Sequence, residues 1–166
     1  MAKSNLAKVI IFANQKGGVG KTTSTVNVSH WFALHRKKVL AIDLDSQGNL
    51  ANAFGVPRND GLYRWLTSGK IDSSIANVRE NLDAVLNGKM YSAAQDFVRN
   101  VEAGRDYLLN QLLEEPREKY DMIFLDTAPS KDIFHMLALI ASDILVIPSQ
   151  MNYLSFAGIE YITSSV

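Results

Sequence analysis

The residues with the most evident chemistry form the run Lys16-Gly17-Gly18-Val19-Gly20-Lys21-Thr22-Thr23. Its glycines let successive backbone N–H groups converge on one point, and converging N–H groups at a helix start hold phosphate. Lys21 adds a cation for β and γ phosphates. The Thr22 hydroxyl is a hard oxygen of the kind Mg²⁺ takes, and Thr23 is placed to reach an α phosphate. The spacing follows the phosphate-loop pattern G-x-x-x-x-G-K-[ST], with Gln15 standing where the pattern has glycine. A chance Gly-rich turn carrying two lysines does not account for its setting between a strand pattern and a helix pattern.

Acids supply the second half of such a site. Asp43 and Asp45 close the apolar run Val39 to Asp43. Residues two apart in extended chain point the same way, so both carboxylates are expected to face the crevice at the carboxyl ends of the strands. One can hold a water of an Mg²⁺ shell and the other can orient or deprotonate an attacking water. Asp126 ends Met122-Ile123-Phe124-Leu125-Asp126, four apolar residues and an acid, a pattern that puts a carboxylate near Mg²⁺.

These side chains need elements to position them. Lys8 to Asn14, Val39 to Asp43, Met122 to Asp126 and Ile144 to Ile147 read as strands buried on both faces. Lys21 to Arg36 reads as a helix with a stripe of Val28, Trp31, Phe32 and His35, closed by the cations Lys37 and Lys38. Leu50 to Phe54, Leu62 to Thr67, Met90 to Val101 and Arg105 to Glu115 read as helices, the last ended by Pro116. Asn81 to Leu86 reads as a strand ending at Asn87-Gly88. Ile133 to Ala141 reads as a helix capped by Ser130, and Leu154 to Ile162 as a last helix. Alternating strands and helices predict an α/β fold, a mostly parallel sheet covered on both faces.

Composition narrows the field. The 166 residues suit one domain, and the 47% hydrophobic and 20% charged fractions suit a packed core. Seventeen basic residues balance 17 acidic ones, which argues against a surface basic all over. The absence of cysteine excludes disulfides, thiol catalysis, Fe–S clusters and cysteine zinc sites. His30, His35 and His135 have no metal-ligand spacing and are read as helix or core residues. The cluster His35 to Lys38 reads as a helix end, and Glu114 to Asp121 as a solvated helix end and loop. The first apolar run is too short for a signal peptide, and no stretch approaches a membrane span, so an intracellular soluble protein is expected.

The loop Asn14-Gln15-Lys16-Gly17-Gly18-Val19-Gly20-Lys21-Thr22-Thr23 resembles the deviant Walker A motif of the ParA/MinD group of P-loop ATPases. Asp43 to Asn49 is similar to the D-x-D-P-Q-G-N run of the ParA type, with Ser46 in place of proline. Asp126 to Ser130 is similar to D-T-P-P-S, with Ala128 in place of the first proline. Ala141 to Ile159 resembles the family's next strand and helix, and the likeness is weak from Pro57 to Lys119. The resemblance implies ATP and Mg²⁺ as cofactors and a P-loop fold. It implies nucleotide binding by Lys16 to Thr23 and catalysis by Lys16, Lys21 and Asp45, with Lys16 reaching the nucleotide of a second subunit. Thr22, Asp43 and Asp126 would serve the metal, the two acids through water. An ATP-dependent homodimer, nonspecific DNA, a ParB-like activator and a nucleoid-associated, cytoplasmic life would follow. Against that family the chain is short, so the segments that usually supply adenine contacts and the DNA-binding surface are expected to lie outside it. The competing expectations are a MinD-like membrane-cycling ATPase, a metabolic P-loop enzyme such as a small-molecule kinase or amide-forming ligase, which would lack the early lysine and the Gln47-Gly48-Asn49 run, and a truncated nucleotide-binding module without turnover. A terminal segment with no basic face gives no support to the MinD-like alternative.

Overall fold

The computed structural model describes residues 6–130 and 132–150. The expected last helix lies outside them, as does the part of the Ala141 to Ile159 likeness beyond residue 150. Six strands form one sheet: β1 (Lys8–Phe12), β2 (Val39–Leu44), β3 (Ile75–Arg79), β4 (Leu82–Val85), β5 (Met122–Thr127) and β6 (Ile144–Val146). Their spatial order is β3-β4-β2-β5-β1-β6. All neighbours are parallel except β3, which pairs antiparallel with β4. The helices are α1 (Lys21–Leu34), α2 (Asn49–Phe54), α3 (Gly61–Ser68), α4 (Tyr91–Arg99), α5 (Leu108–Lys119) and α6 (Ile133–Ala141). The α/β architecture read from the alternating pattern is the one observed.

Successive strand residues feed opposite faces. Val9, Ile11, Leu40, Ile42, Ile123 and Leu125 join Trp65, Tyr91, Leu113 and Phe134 in a core under α3 to α6. Ile10, Phe12, Val39, Ala41, Leu82 and Phe124 join Ala33, Leu50 and Phe54 in a second core under α1 and α2. Full burial on both faces explains the unbroken apolar runs of β1, β2 and β5.

Four details differ from expectation. The fully buried residues of α1 are Lys21, Thr25, Ser29 and Ala33; of the expected stripe, Val28 and Phe32 pack partly buried against the second core, whereas Trp31 is 53% exposed. Small side chains let this helix approach the sheet closely, which leaves the Trp31 face outward against His35. β3 falls in a stretch to which the sequence pattern assigns no element, because as an edge strand only its Val78 is buried. α5 continues through Pro116 to Lys119. There the missing N–H and fixed φ cost one bond in the last turn rather than ending the helix. The cap of α6 is Asp132 rather than Ser130, its carboxylate accepting the His135 N–H at 3.0 Å.

Candidate functional site

The carboxyl ends of β1, β2 and β5 converge on a cleft of about 340 Å³. Gly17, Gly18, Gly20, Lys21, Thr22 and Thr23 form one wall; Asp45, Gln47, Asn49 and Pro129 line the rest. Gly20 has φ 94°, a left-handed conformation that L side chains rarely adopt, and it delivers the chain into α1 at Lys21. No side chain caps this helix and its first turn holds no acid. Its first N–H groups and the positive end of its dipole therefore point at the cleft, which suits an anion.

The loop is tied at its root. Buried Asn14 accepts the Lys16 N–H at 2.9 Å and donates to the Pro148 carbonyl at 2.8 Å, fastening the loop to the exit of β6. Lys21 is buried, and its ammonium donates to the Lys16 carbonyl at 3.3 Å. Burial lowers its pKa, opposed by the charges of Asp126 and Asp45. Lys16 is half-buried, and its ammonium donates to Gln150 Oε1 at 3.2 Å rather than lining the cleft. Val19 is half-buried and likewise does not line it.

The three acids occupy different ranks. Asp45 lines the cleft, with Oδ1 accepting the Gln47 N–H at 2.9 Å. Asp43 lies behind it, its two oxygens accepting the N–H groups of Asp45 at 3.1 Å and Leu50 at 3.2 Å. The expectation that both carboxylates face the crevice holds for Asp45 only. β2 ends at Leu44, the chain turns at Asp45 to Gly48, and Asp43 fills the inside of that turn. Gly48 suits that turn, with φ +60° in the left-handed region that L side chains rarely adopt.

Asp43 and Asp126 stand opposite one another in the β2–β5 register, both fully buried. Burial first, and then its neighbour's charge, raises the Asp43 carboxyl well above the usual carboxylate range. Burial pushes Asp126 up to about 6, against hydrogen bonds from Thr22 and Thr25 and the charge of Lys21. The Thr25 hydroxyl lies 3.4 Å from Asp126 Oδ1, and Oδ2 has no hydrogen-bond partner among the described residues. A buried carboxylate oxygen left open beside a hydroxyl and a lysine is a ready acceptor for a metal-bound water.

Other side chains hold this arrangement without a sequence signal of their own. Asn87, read only as a strand-ending turn, is buried and donates to the Asp45 carbonyl at 2.8 Å. Tyr91 and Asp132 lie between the loops that follow β2 and β5. His135 is buried on α6, as expected of a core histidine, and burial lowers its pKa.

Comparison with known proteins gives a consistent picture. A family described as AAA domain matches residues 7–166. The sporulation initiation inhibitor protein Soj of Bacillus subtilis is 35% identical over 166 residues, covering 97% of this chain and 65% of that protein. The chain thus spans slightly less than two thirds of the curated relatives it matches. The structure of a putative plasmid partition protein of Borrelia burgdorferi, bound to AMPPNP, superposes with TM-score 0.81 at 31% identity, covering 95% of this chain and 67% of that one. Cobyrinic acid a,c-diamide synthase of Mycobacterium smegmatis shares the fold, with TM-score 0.86 at 24% identity over 96% of this chain and 67% of that one.

Proposed function

The chain belongs to the AAA-domain family of ParA-type partition ATPases, and on that premise we propose that it carries the Mg²⁺- and ATP-dependent core of a dimerising partition ATPase. The observation that carries the reading is the uncapped start of α1, wrapped by the glycine loop and faced by Asp45, with the open oxygen of Asp126 behind it. A nucleotide triphosphate needs N–H donors, a cation and a place for its metal, and this cleft offers all three.

In this reading residues Gly17 to Thr23 cradle the phosphates and Lys21 neutralises them. The donor set fits Mg²⁺: the Thr22 hydroxyl would hold it, with Asp126 and Asp43 acting through water. Bound there, the ion would offset the negative charge that builds on the phosphates during transfer. Asp43 has already spent its oxygens on the turn, so its share is mainly its charge and the shape it imposes on Asp45. Asp45, on the cleft wall, orients or deprotonates the attacking water. Lys16 exchanges Gln150 for the nucleotide of a second subunit, which makes dimerisation depend on ATP. Nonspecific DNA binding, an activating partner of the ParB type and a nucleoid-associated, cytoplasmic location belong to the same proposal. Among the described residues no helix is long and apolar enough to cross a membrane.

The test is size-exclusion chromatography with light scattering under ATP, ADP and no nucleotide, with and without DNA. An ATP-specific dimer that Lys16→Ala abolishes while nucleotide binding persists is the expected result. Full ATP turnover by Lys16→Ala sinks the trans role of that lysine. Asp45→Ala is expected to trap the ATP-bound dimer, which hydrolysis at the wild-type rate would contradict.

A further inference from the structure

Leu44 and Thr127 are register partners at the ends of β2 and β5. From there the chain leaves the sheet at two neighbouring points, one leading to Asp45 and the other to Ala128. One side chain from α4 joins the end of β2 to the cap of α6. The Tyr91 hydroxyl lies 3.2 Å from the Leu44 carbonyl and 2.5 Å from Asp132 Oδ2. A phenol has a single proton to donate, so it cannot satisfy two acceptors at full strength. The shorter contact goes to the carboxylate, as a charged acceptor commands. Asp132 also caps α6 and accepts a weaker bond from Gln95 at 3.4 Å. The Tyr91 ring is buried and rests on Phe134 at 5.4 Å, so the hydroxyl is held in place by packing.

We propose that Tyr91 is a positioning residue for Asp45: its one proton is shared between two acceptors, and what Asp132 takes of it the Leu44 carbonyl loses. The fit of the Asp45 turn to the cleft then depends on the start of α6. A change at the Asp132 end of that link, such as the approach of a second subunit or a partner, would be felt at the turn that holds the attacking water. The functional meaning rests on the ATPase reading above; the tie itself does not.

Two near-isosteric variants pull the tie in opposite directions. Tyr91→Phe keeps the ring on Phe134 and deletes the proton. Asp132→Asn keeps the helix cap, since Asn caps as well as Asp. Its amide can donate to the phenol oxygen and so release the whole O–H to Leu44. The readout is hydrogen exchange at the Gln47 and Gly48 amides, both bonded to Asp45, in the nucleotide-free chain. Tyr91→Phe is expected to speed that exchange by about ten-fold, while Asp132→Asn leaves it at or below the wild-type rate. Unchanged exchange in Tyr91→Phe overturns the proposal. So does acceleration by both variants alike, which would mark a shared loss of packing. In turnover, Tyr91→Phe is expected to lower kcat about ten-fold with KM for Mg·ATP within about two-fold. A wild-type chain that fails to bind Mg·ATP would sink the ATPase reading and leave exchange to decide the tie.

Discussion

The same strands end in two unlike environments. At their amino ends the acids have partners. Asp143 Oδ2 accepts the Val9 N–H at 2.7 Å and the Arg117 guanidinium at 2.8 Å. Asp121 accepts the Lys38 N–H at 2.8 Å, and Asp83 accepts the Tyr120 hydroxyl at 3.0 Å. At the carboxyl ends Asp43 and Asp126 are more deeply buried and stand opposite one another, with Lys21 acting on Asp126. The consequence shows in their protonation. Burial raises Asp43 and Asp126, whereas at Asp143 the effect of burial is outweighed by Val9 and Arg117, and its carboxyl lies below the usual range. Paired acids close a fold. Buried acids short of cations mark where a fold accepts a charge from outside, and the cleft lies at that end.

The largest break of this contrast is Asp126→Asn. It is expected to cost about 10²-fold or more in ATP turnover, the scale for losing a preorganised electrostatic group. It is also expected to raise the melting temperature of the nucleotide-free chain at pH 8, by removing a buried charge that repels Asp45 and Asp43. Turnover assays and thermal melts in parallel check both halves; a variant that is active, or inactive and less stable, contradicts the contrast.

Arg117→Ala should do the reverse. It removes bonds to Ala7, Ala141 and Asp143 that join α5 to the approach to β1, the end of α6 and the entry to β6. The expected loss is about 1.5–3 kcal/mol in urea unfolding, with turnover per folded molecule unchanged. A smaller effect follows with pH. Because the folded Asp143 carboxyl is depressed, its contribution is complete above the unfolded value of about 4 and is lost as pH falls through the lower folded value. Urea midpoints measured between about pH 2 and 5 should fall less steeply in Arg117→Ala than in wild type. Smallest of all, Lys119→Ala should leave the melting temperature unchanged, since its partners Asp72 and Glu115 are exposed and solvent screens such pairs.

Much of this was legible before any coordinates, and for physical reasons. Strands buried on both faces leave continuous apolar runs, so β1, β2 and β5 stand out, and the glycine loop is marked by residues that few other settings need. What was illegible depends on partners distant in sequence. The fully buried line of α1 runs through Thr25, Ser29 and Ala33, two of them hydroxyl residues that no hydrophobic pattern selects, beside Val28 and Phe32, which such a pattern does select. β3 is largely open to solvent and, among the described residues, pairs with β4 alone. Asp43 and Asp45 look equivalent as strand-end acids, and they separate only once the turn to Leu50 closes around one of them. Asn87 and Tyr91 have no motif; their roles exist because β4 and α4 deliver them to the exit of β2.

The strand order also carries a consequence for biosynthesis. β1 leads into the glycine loop and precedes the other described strands in the chain, yet its hydrogen-bonded neighbours are β5 and β6, which begin at Met122 and Ile144. At about 5–20 residues per second, the ribosome leaves β1 without either edge partner for several seconds. β2 meets β4 sooner, at Leu82. The earliest of the described strands is therefore among the last to be seated, and an apolar strand, Val9 to Phe12, must be kept from wrong pairings until β5 arrives.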